Sequence, residues 1–228
     1  KLTGNTVLLR LRPEGSPAVV AFAEAGMLGK IGFNQHRLGV CLNFLSHQSD
    51  DPEGKPGVPV HCLLRAVMGC TTLEEATALV ARMPRCASAN FLLAQHTDAG
   101  PRVVDLEWTP DAVGKVPLHD GFLVHTNHFL ADSLESGCLS GKNRSTTTRR
   151  RVASRLAKAL AQKVPDPAAR MKKILASREE APWAVSKTGA PGSPSHTLAA
   201  VVMDLTRNRI HLTAGPPHAS PWLERPGV

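Results

Sequence analysis

Glu24-Ala25-Gly26-Met27-Leu28-Gly29-Lys30-Ile31-Gly32-Phe33-Asn34, followed after Gln35-His36-Arg37 by Leu38-Gly39-Val40-Cys41-Leu42-Asn43, decides how this chain is read. Two short apolar runs, Lys30–Asn34 and Leu38–Leu45, flank a three-residue polar link, which predicts a pair of antiparallel strands. Gly26, Gly29 and Gly32 permit positive φ or close backbone approach. Gly26-x-x-Gly29-Lys30 has neither the spacing of a phosphate-binding loop nor its following Ser or Thr, so that reading is rejected.

Working outward, Thr6–Leu11 and Pro17–Ala23 extend the meander, with Pro13-Glu14-Gly15 as the turn between them. A loop over Ser46–Pro59, broken by Asp50-Asp51-Pro52 and Pro56-Gly57, leads to two helices. Val60–Met68 is apolar on most sides, which implies burial and places Cys62 inside. Thr72–Met83 opens with Thr72 and Glu75 at capping-box spacing. Strands are then expected over Ser88–Gln95, Arg102–Trp108 and Phe122–Asn127, helices over Thr147–Lys163 and Ala168–Ser177, and a loop over Gly189–Ser195. Thr197–Leu205 and Ile210–Ala214 form a closing hairpin through Thr206-Arg207-Asn208.

The order is strands, two helices, strands, two helices, strands. Helix pairs can then cover the outer faces of two stacked sheets. The expected fold class is α+β, a four-layer αββα sandwich of antiparallel sheets covered by helix pairs.

Composition narrows the function. A chain of 228 residues with 42% hydrophobic and 20% charged residues fits an ordinary globular protein. No apolar run approaches the ~20 residues of a membrane helix, so no membrane partner is expected. Five cysteines without a Cys-x-x-Cys pair favour neither a disulfide framework nor zinc, and suit a reducing cytoplasm. Cys138, in a flexible Ser-Gly context, is expected as a surface thiol. Residues 142–173 hold eleven Lys or Arg and one acid, Asp166, so this block carries +10 of a chain whose total is +8. A solvated helix face is the plain reading of this block; a polyanion-binding module is the alternative. Few aromatics and no Tyr count against a nucleic-acid stacking surface.

Two patches carry candidate chemistry. In His125-Thr126-Asn127-His128, an amide side chain such as Asn127 can donate to an oxyanion. His125 and His128 are expected on one strand face, but a third ligand is missing, so no metal is assigned. No cofactor is expected.

The Glu24–Asn34 run, the Leu38–Asn43 run and the His-Thr-Asn-His block together resemble the acyl-coenzyme A:6-aminopenicillanic acid acyltransferase family of N-terminal-nucleophile (Ntn) hydrolases. Supporting pieces are Gly57-Val58-Pro59-Val60-His61, Ala87-Ser88-Ala89-Asn90-Phe91 and Met203-Asp204. The resemblance implies the same αββα layering over a single domain, residues 1–228. It also implies an autoprocessing amidohydrolase or acyltransferase with a cysteine nucleophile. The partner would be a small N-acyl or acyl-thioester substrate, acyl-coenzyme A included. Asn127 falls on the family's oxyanion-hole position, and Asn43 is similar to a second oxyanion Asn of related amidases. Glu24, Gly29, Phe44 and His125 fall around the substrate. The family's nucleophilic Cys and an Asn-x-Asp block are expected upstream of Lys1, so the domain reads as N-terminally incomplete and inactive by itself. An exposed sheet edge beside that segment would favour a homo-oligomer. The Ser-Arg pair of the fungal enzyme reads Ser193-Pro194 here, so that Arg role is not carried over.

Overall fold

Val19, Val20, Ala21, Phe22 and Ala23 are all buried, although side chains alternate across a strand, so both faces of this strand must be covered. A computed structural model shows how, describing residues 4–50, 55–191 and 193–228. The Asp51-Pro52 breaker of the expected loop lies outside the described residues.

Seven strands pair antiparallel in chain order: β1 (Thr6–Leu11), β2 (Val19–Glu24), β3 (Ile31–Asn34), β4 (Leu38–Phe44), β5 (Ala89–Thr97), β6 (Gly100–Trp108) and β7 (Val113–Val116). One face takes α1 (Val60–Val67) and α2 (Leu73–Arg82). Val19, Ala21, Val40, Phe91, Leu106 and Trp108 meet Leu63, Leu64, Val67, Leu73, Ala76 and Val80 there. Trp108 stands edge-on to Phe91 with ring centroids 4.6 Å apart, and its Nε1 donates to Ala87 O at 3.0 Å.

The opposite face receives a second sheet. After α3 (Asp132–Glu135), α4 (Arg144–Ala161), α5 (Pro167–Leu175) and the ribbon β8 (Thr188–Ala190) with β9 (Ser193–His196), strands β10 (Ala199–Asp204), β11 (Arg209–Ala214) and β12 (Leu223–Pro226) form a three-stranded antiparallel sheet. Val20 and Phe33 meet Ile210, Val201 and Met203 between the sheets. A Cβ on Gly39 would sit 3.2 Å from Leu205 Cδ2, so a small residue lets the second sheet close down. Helix α5 packs on β10 and α4 on α5. The layers are helices, sheet, sheet, helices, as expected.

Sequence accounts for several joints. Thr72 Oγ1 accepts from Glu75 N at 3.1 Å, while the Glu75 carboxylate reaches Thr71 N instead of Thr72 N. Asn34 Nδ2 caps the carbonyls Met68 O and Cys70 O at the end of α1, at 3.0 and 2.6 Å. Gln95 Oε1 accepts from Leu73 N at 2.9 Å, at the start of α2. A Cβ on Gly32 would lie 2.8 Å from Ala21 Cα and meet Val20 O, which excludes larger residues where β3 crosses β2.

Other expectations need correction. Phe122–Asn127 is not a strand: Phe122 and Val124 pack under α4, and Asn127 N donates to Thr146 Oγ1 at 2.7 Å instead of joining a ladder. His125 and His128 therefore share no strand face. The expected loop over Gly189–Ser195 forms the β8–β9 hairpin, helped by positive φ at Gly189. Helix α4 starts at Arg144, capped by Asn143 Oδ1, which accepts from Ser145 N at 2.9 Å. Cys62 is exposed on the outer face of α1. Cys138 packs against Leu45, Phe129 and Leu134 and accepts from Phe129 N at 3.4 Å, so it is no plain surface thiol. No described helix is long and apolar enough to cross a membrane.

Candidate active site

Antiparallel order brings the ends of β2 and β4 and the starts of β3 and β5 to one end of the main sheet. Glu24, Gly29, Asn43 and Phe44, scattered in sequence, all gather at that end. They do different things there. Glu24 ion-pairs with Lys30 across the turn between β2 and β3. Gly29 has φ +144°, a backbone that other residues resist, and faces Met68 and Leu64 of the helix layer. Asn43 lies on the inter-sheet face, opposite Asn90, which is itself opposite Glu107. Phe44 is 69% exposed and lines a cavity of about 660 Å³.

The far wall of this cavity is the N-terminal end of α4, with Trp183 and Lys187 closing it. Asn127 sits between that end and Phe44. Its amide is fixed in both senses: Arg149 Nη2 donates to Oδ1 at 2.9 Å, and Nδ2 donates to Phe44 O at 3.0 Å. An amide nitrogen carries two hydrogens, so one donor remains for a ligand. Thr146 holds Asn127 and the residue before it. Its Oγ1 accepts from Asn127 N, and its carbonyl accepts from Thr126 Oγ1 at 3.1 Å.

His125 does not reach the cavity. Its side chain is 1% exposed, with Nε2 2.6 Å from Glu107 Oε1 and Nδ1 2.8 Å from Thr126 O. Glu107, fully buried, also accepts from Leu130 N at 2.7 Å and Ala131 N at 2.8 Å. One carboxylate on β6 thus ties down the chain before and after Asn127. Sequence reasoning missed Glu107, Thr146 and Lys187, and read Arg149 only as part of the basic block. The only available signal was an acid inside a strand whose neighbours, Leu106 and Trp108, are apolar.

The inter-sheet face holds a second polar group. Asn90 Nδ2 donates to Asp105 Oδ1, while Asn90 Oδ1 and Asp105 Oδ2 have no partner among the described residues. Burial, and then the Asp105 charge, push the Cys41 thiol up to about 11, so Cys41 is a protonated thiol near neutrality. No cysteine lines the cavity among the described residues.

His128 gives a pH signature. Burial first, then the charges of Arg150 and His125, hold its imidazole below the ordinary range. Between that lowered value and about 6.5, the unfolded chain holds a proton that the native chain lacks. Stability therefore falls as pH drops through this window. The change is at most about 1.4 kcal/mol per pH unit for one group. Urea midpoints at pH 7.5 and 5.5 should show the drop, and His128→Gln should shrink it. An equal drop in the variant would assign the effect elsewhere, first to His211, which burial and Lys172 shift in the same direction.

Residues 5–219 match the family described as acyl-coenzyme A:6-aminopenicillanic acid acyl-transferase. The chain belongs to that family. It is 30% identical over 127 residues to the acyl-coenzyme A:6-aminopenicillanic-acid-acyltransferase 40 kDa form of Emericella nidulans. That stretch is 55% of this chain and 34% of the relative, so the alignment spans about a third of the relative's length. In fold it is similar to penicillin V acylase from Agrobacterium tumefaciens, with a TM-score of 0.51 and 17% identity, covering 91% of this chain and 69% of that one. That likeness is one of fold and supports the helix-sheet-sheet-helix layering described above.

Proposed function

We propose that this acyltransferase-family chain forms the acyl-binding body of an Ntn cysteine amidohydrolase or acyltransferase. Its substrate is a small N-acyl or acyl-thioester compound, acyl-coenzyme A included. The observation that carries this reading is Asn127, held by Arg149 with one donor hydrogen left at the mouth of the cavity. A thiolate attacks the acyl carbon, and the oxygen that gains charge is stabilised by the Asn127 amide. The amine or thiol leaves with a proton, and water or an amine then releases the acyl group from sulfur. In this reading the nucleophile comes from chain upstream of Lys1 and is exposed by self-cleavage, because no cysteine of the described residues faces the site. Asn43, Glu24, Gly29 and Phe44 belong to the same end of the sheet, with Phe44 the residue placed to touch an acyl chain. His125 supports the wall from behind.

Five free cysteines suit a reducing cytoplasm. The polyanion alternative is weakened because Arg151, Arg155 and Lys158 of α4 face Glu180, Glu179 and Asp120.

Intact mass of the protein expressed with its upstream chain tests the proposal. The expected result is cleavage just before a cysteine and, with an N-acyl substrate at short times, an acyl adduct on that cysteine. An uncleaved protein that never acquires the adduct would sink the reading.

A further inference from the structure

The cavity beside Asn127 has an uncompensated charge. Arg144, Arg149 and Lys187 line it, and among the described residues no carboxylate does. The same side of α4 presents its first turn, where Asn143 Oδ1 accepts from Ser145 N and Thr146 N and the helix dipole adds positive potential. Ser145 Oγ, also in the lining, is buried without a hydrogen-bond partner. Elsewhere on α4, Arg151, Arg155 and Lys158 meet acids, while Arg150 lies outside the cavity lining, so the cations that share this cavity are Arg144, Arg149 and Lys187.

Holding like charges together in a partly desolvated space costs free energy. Burial, and then Arg149 itself, hold the Lys187 ammonium below its ordinary range, and burial does the same to Arg149. A bound anion would offset both the burial and the repulsion. We infer that this cavity binds a small oxyanion, carboxylate or phosphate, carried by the substrate and seated on Lys187, Arg144 and the free face of Arg149 at the start of α4. This inference rests on the acyl-transfer reading of the same site and names the substrate's charge.

The geometry ties the anion to the reacting centre. Arg149 already orients the Asn127 amide through Nη2, and its Nε donates to Ser145 O at 3.2 Å. Its other terminal nitrogen is left for the ligand. An anion there lies one guanidinium away from the oxyanion donor, which suits a carboxylate on the amine half of an N-acyl amino acid. Phosphate would instead come from the carrier of an acyl thioester.

Calorimetric titration of the chain separates these sources. The probes are N-phenylacetylglycine against its uncharged amide, and coenzyme A against pantetheine. The anionic member of at least one pair should bind about tenfold tighter at low salt, the scale of one charge-assisted hydrogen bond. The advantage should vanish in Lys187→Gln, persist in Lys187→Arg and shrink as salt rises. An advantage in the glycine pair places a carboxylate on the amine half; one in the coenzyme pair places a phosphate on the carrier. Equal binding within both pairs, or binding of none of the four probes, overturns the inference. Turnover is measured separately on the protein with its upstream chain. Anion binding without turnover leaves the inference standing and removes the acyl-transfer reading. Turnover with equal kcat/KM for charged and neutral substrates does the reverse.

Discussion

Glu107→Ala should destabilise the fold by about 3–5 kcal/mol, the cost of leaving several buried donors without their acceptor at about 1–3 kcal/mol each. Its side chain has no exposure and serves three donors: His125 Nε2, Leu130 N and Ala131 N. Alanine would leave all three without an acceptor in a space that admits little water. Glu107→Gln should cost less, because one amide oxygen remains; its NH₂ group would still face a donor. A double variant, Glu107→Leu with His125→Leu, should recover only the His125 share of the loss, because Leu130 N and Ala131 N still lack an acceptor. Urea unfolding followed by tryptophan fluorescence measures each step, with Trp108 reporting from the sheet core. A single-variant cost under about 1 kcal/mol, in the range of an exposed pair, would mean that Glu107 does not brace the segment carrying Asn127.

Asn127→Ala should lower kcat by about 10²–10³-fold, the usual loss on removing one oxyanion donor, with KM little changed. The measurement needs the enzyme with its nucleophile. The fold should survive, because Asn127 is only half-buried and its backbone hydrogen bond to Thr146 Oγ1 does not involve its side chain. Asn127→Asp should be at least as damaging. Arg149 would pair with one carboxylate oxygen, and the other would present negative charge where the oxyanion forms. A kcat within about threefold of the parent, where the stated loss is a hundredfold or more, would remove Asn127 from the chemistry and leave it a structural amide.

These two variants probe different routes to the same amide. Asn127 acts, in the proposed mechanism, on the reacting oxygen. Glu107 sits behind it and fixes the chain on either side, so its conservative variant should move stability first. His125 was expected at the substrate; the structure places it against Glu107, behind the cavity wall. The residue type suggested chemistry, but the partner decides what an imidazole does.

The strands up to β6 were legible because apolar runs of the right length end at Gly, Pro or short polar links. The capping pair Thr72 and Glu75 was legible because both ends of that interaction lie within one turn. Strand β7 and the short elements α3 and β12 were not, since four residues such as Val113–Val116 carry too little periodicity to stand out. Phe122–Asn127 was misread as a strand for the opposite reason. Its pattern suits a ladder, but its backbone partner is the Thr146 hydroxyl.

By itself the sequence determined the meander of strands, the paired helices, the family and the candidate amide Asn127, because each is encoded in neighbouring residues or in a contiguous motif. Tertiary structure alone decided that Glu107 would meet His125, that Arg149 would hold Asn127 from 22 residues away, and that Arg144 and Lys187 would share one cavity without a counter-charge. Those contacts join elements far apart in the chain. They exist only because the packing of sheets and helices brings the end of β4 against the start of α4.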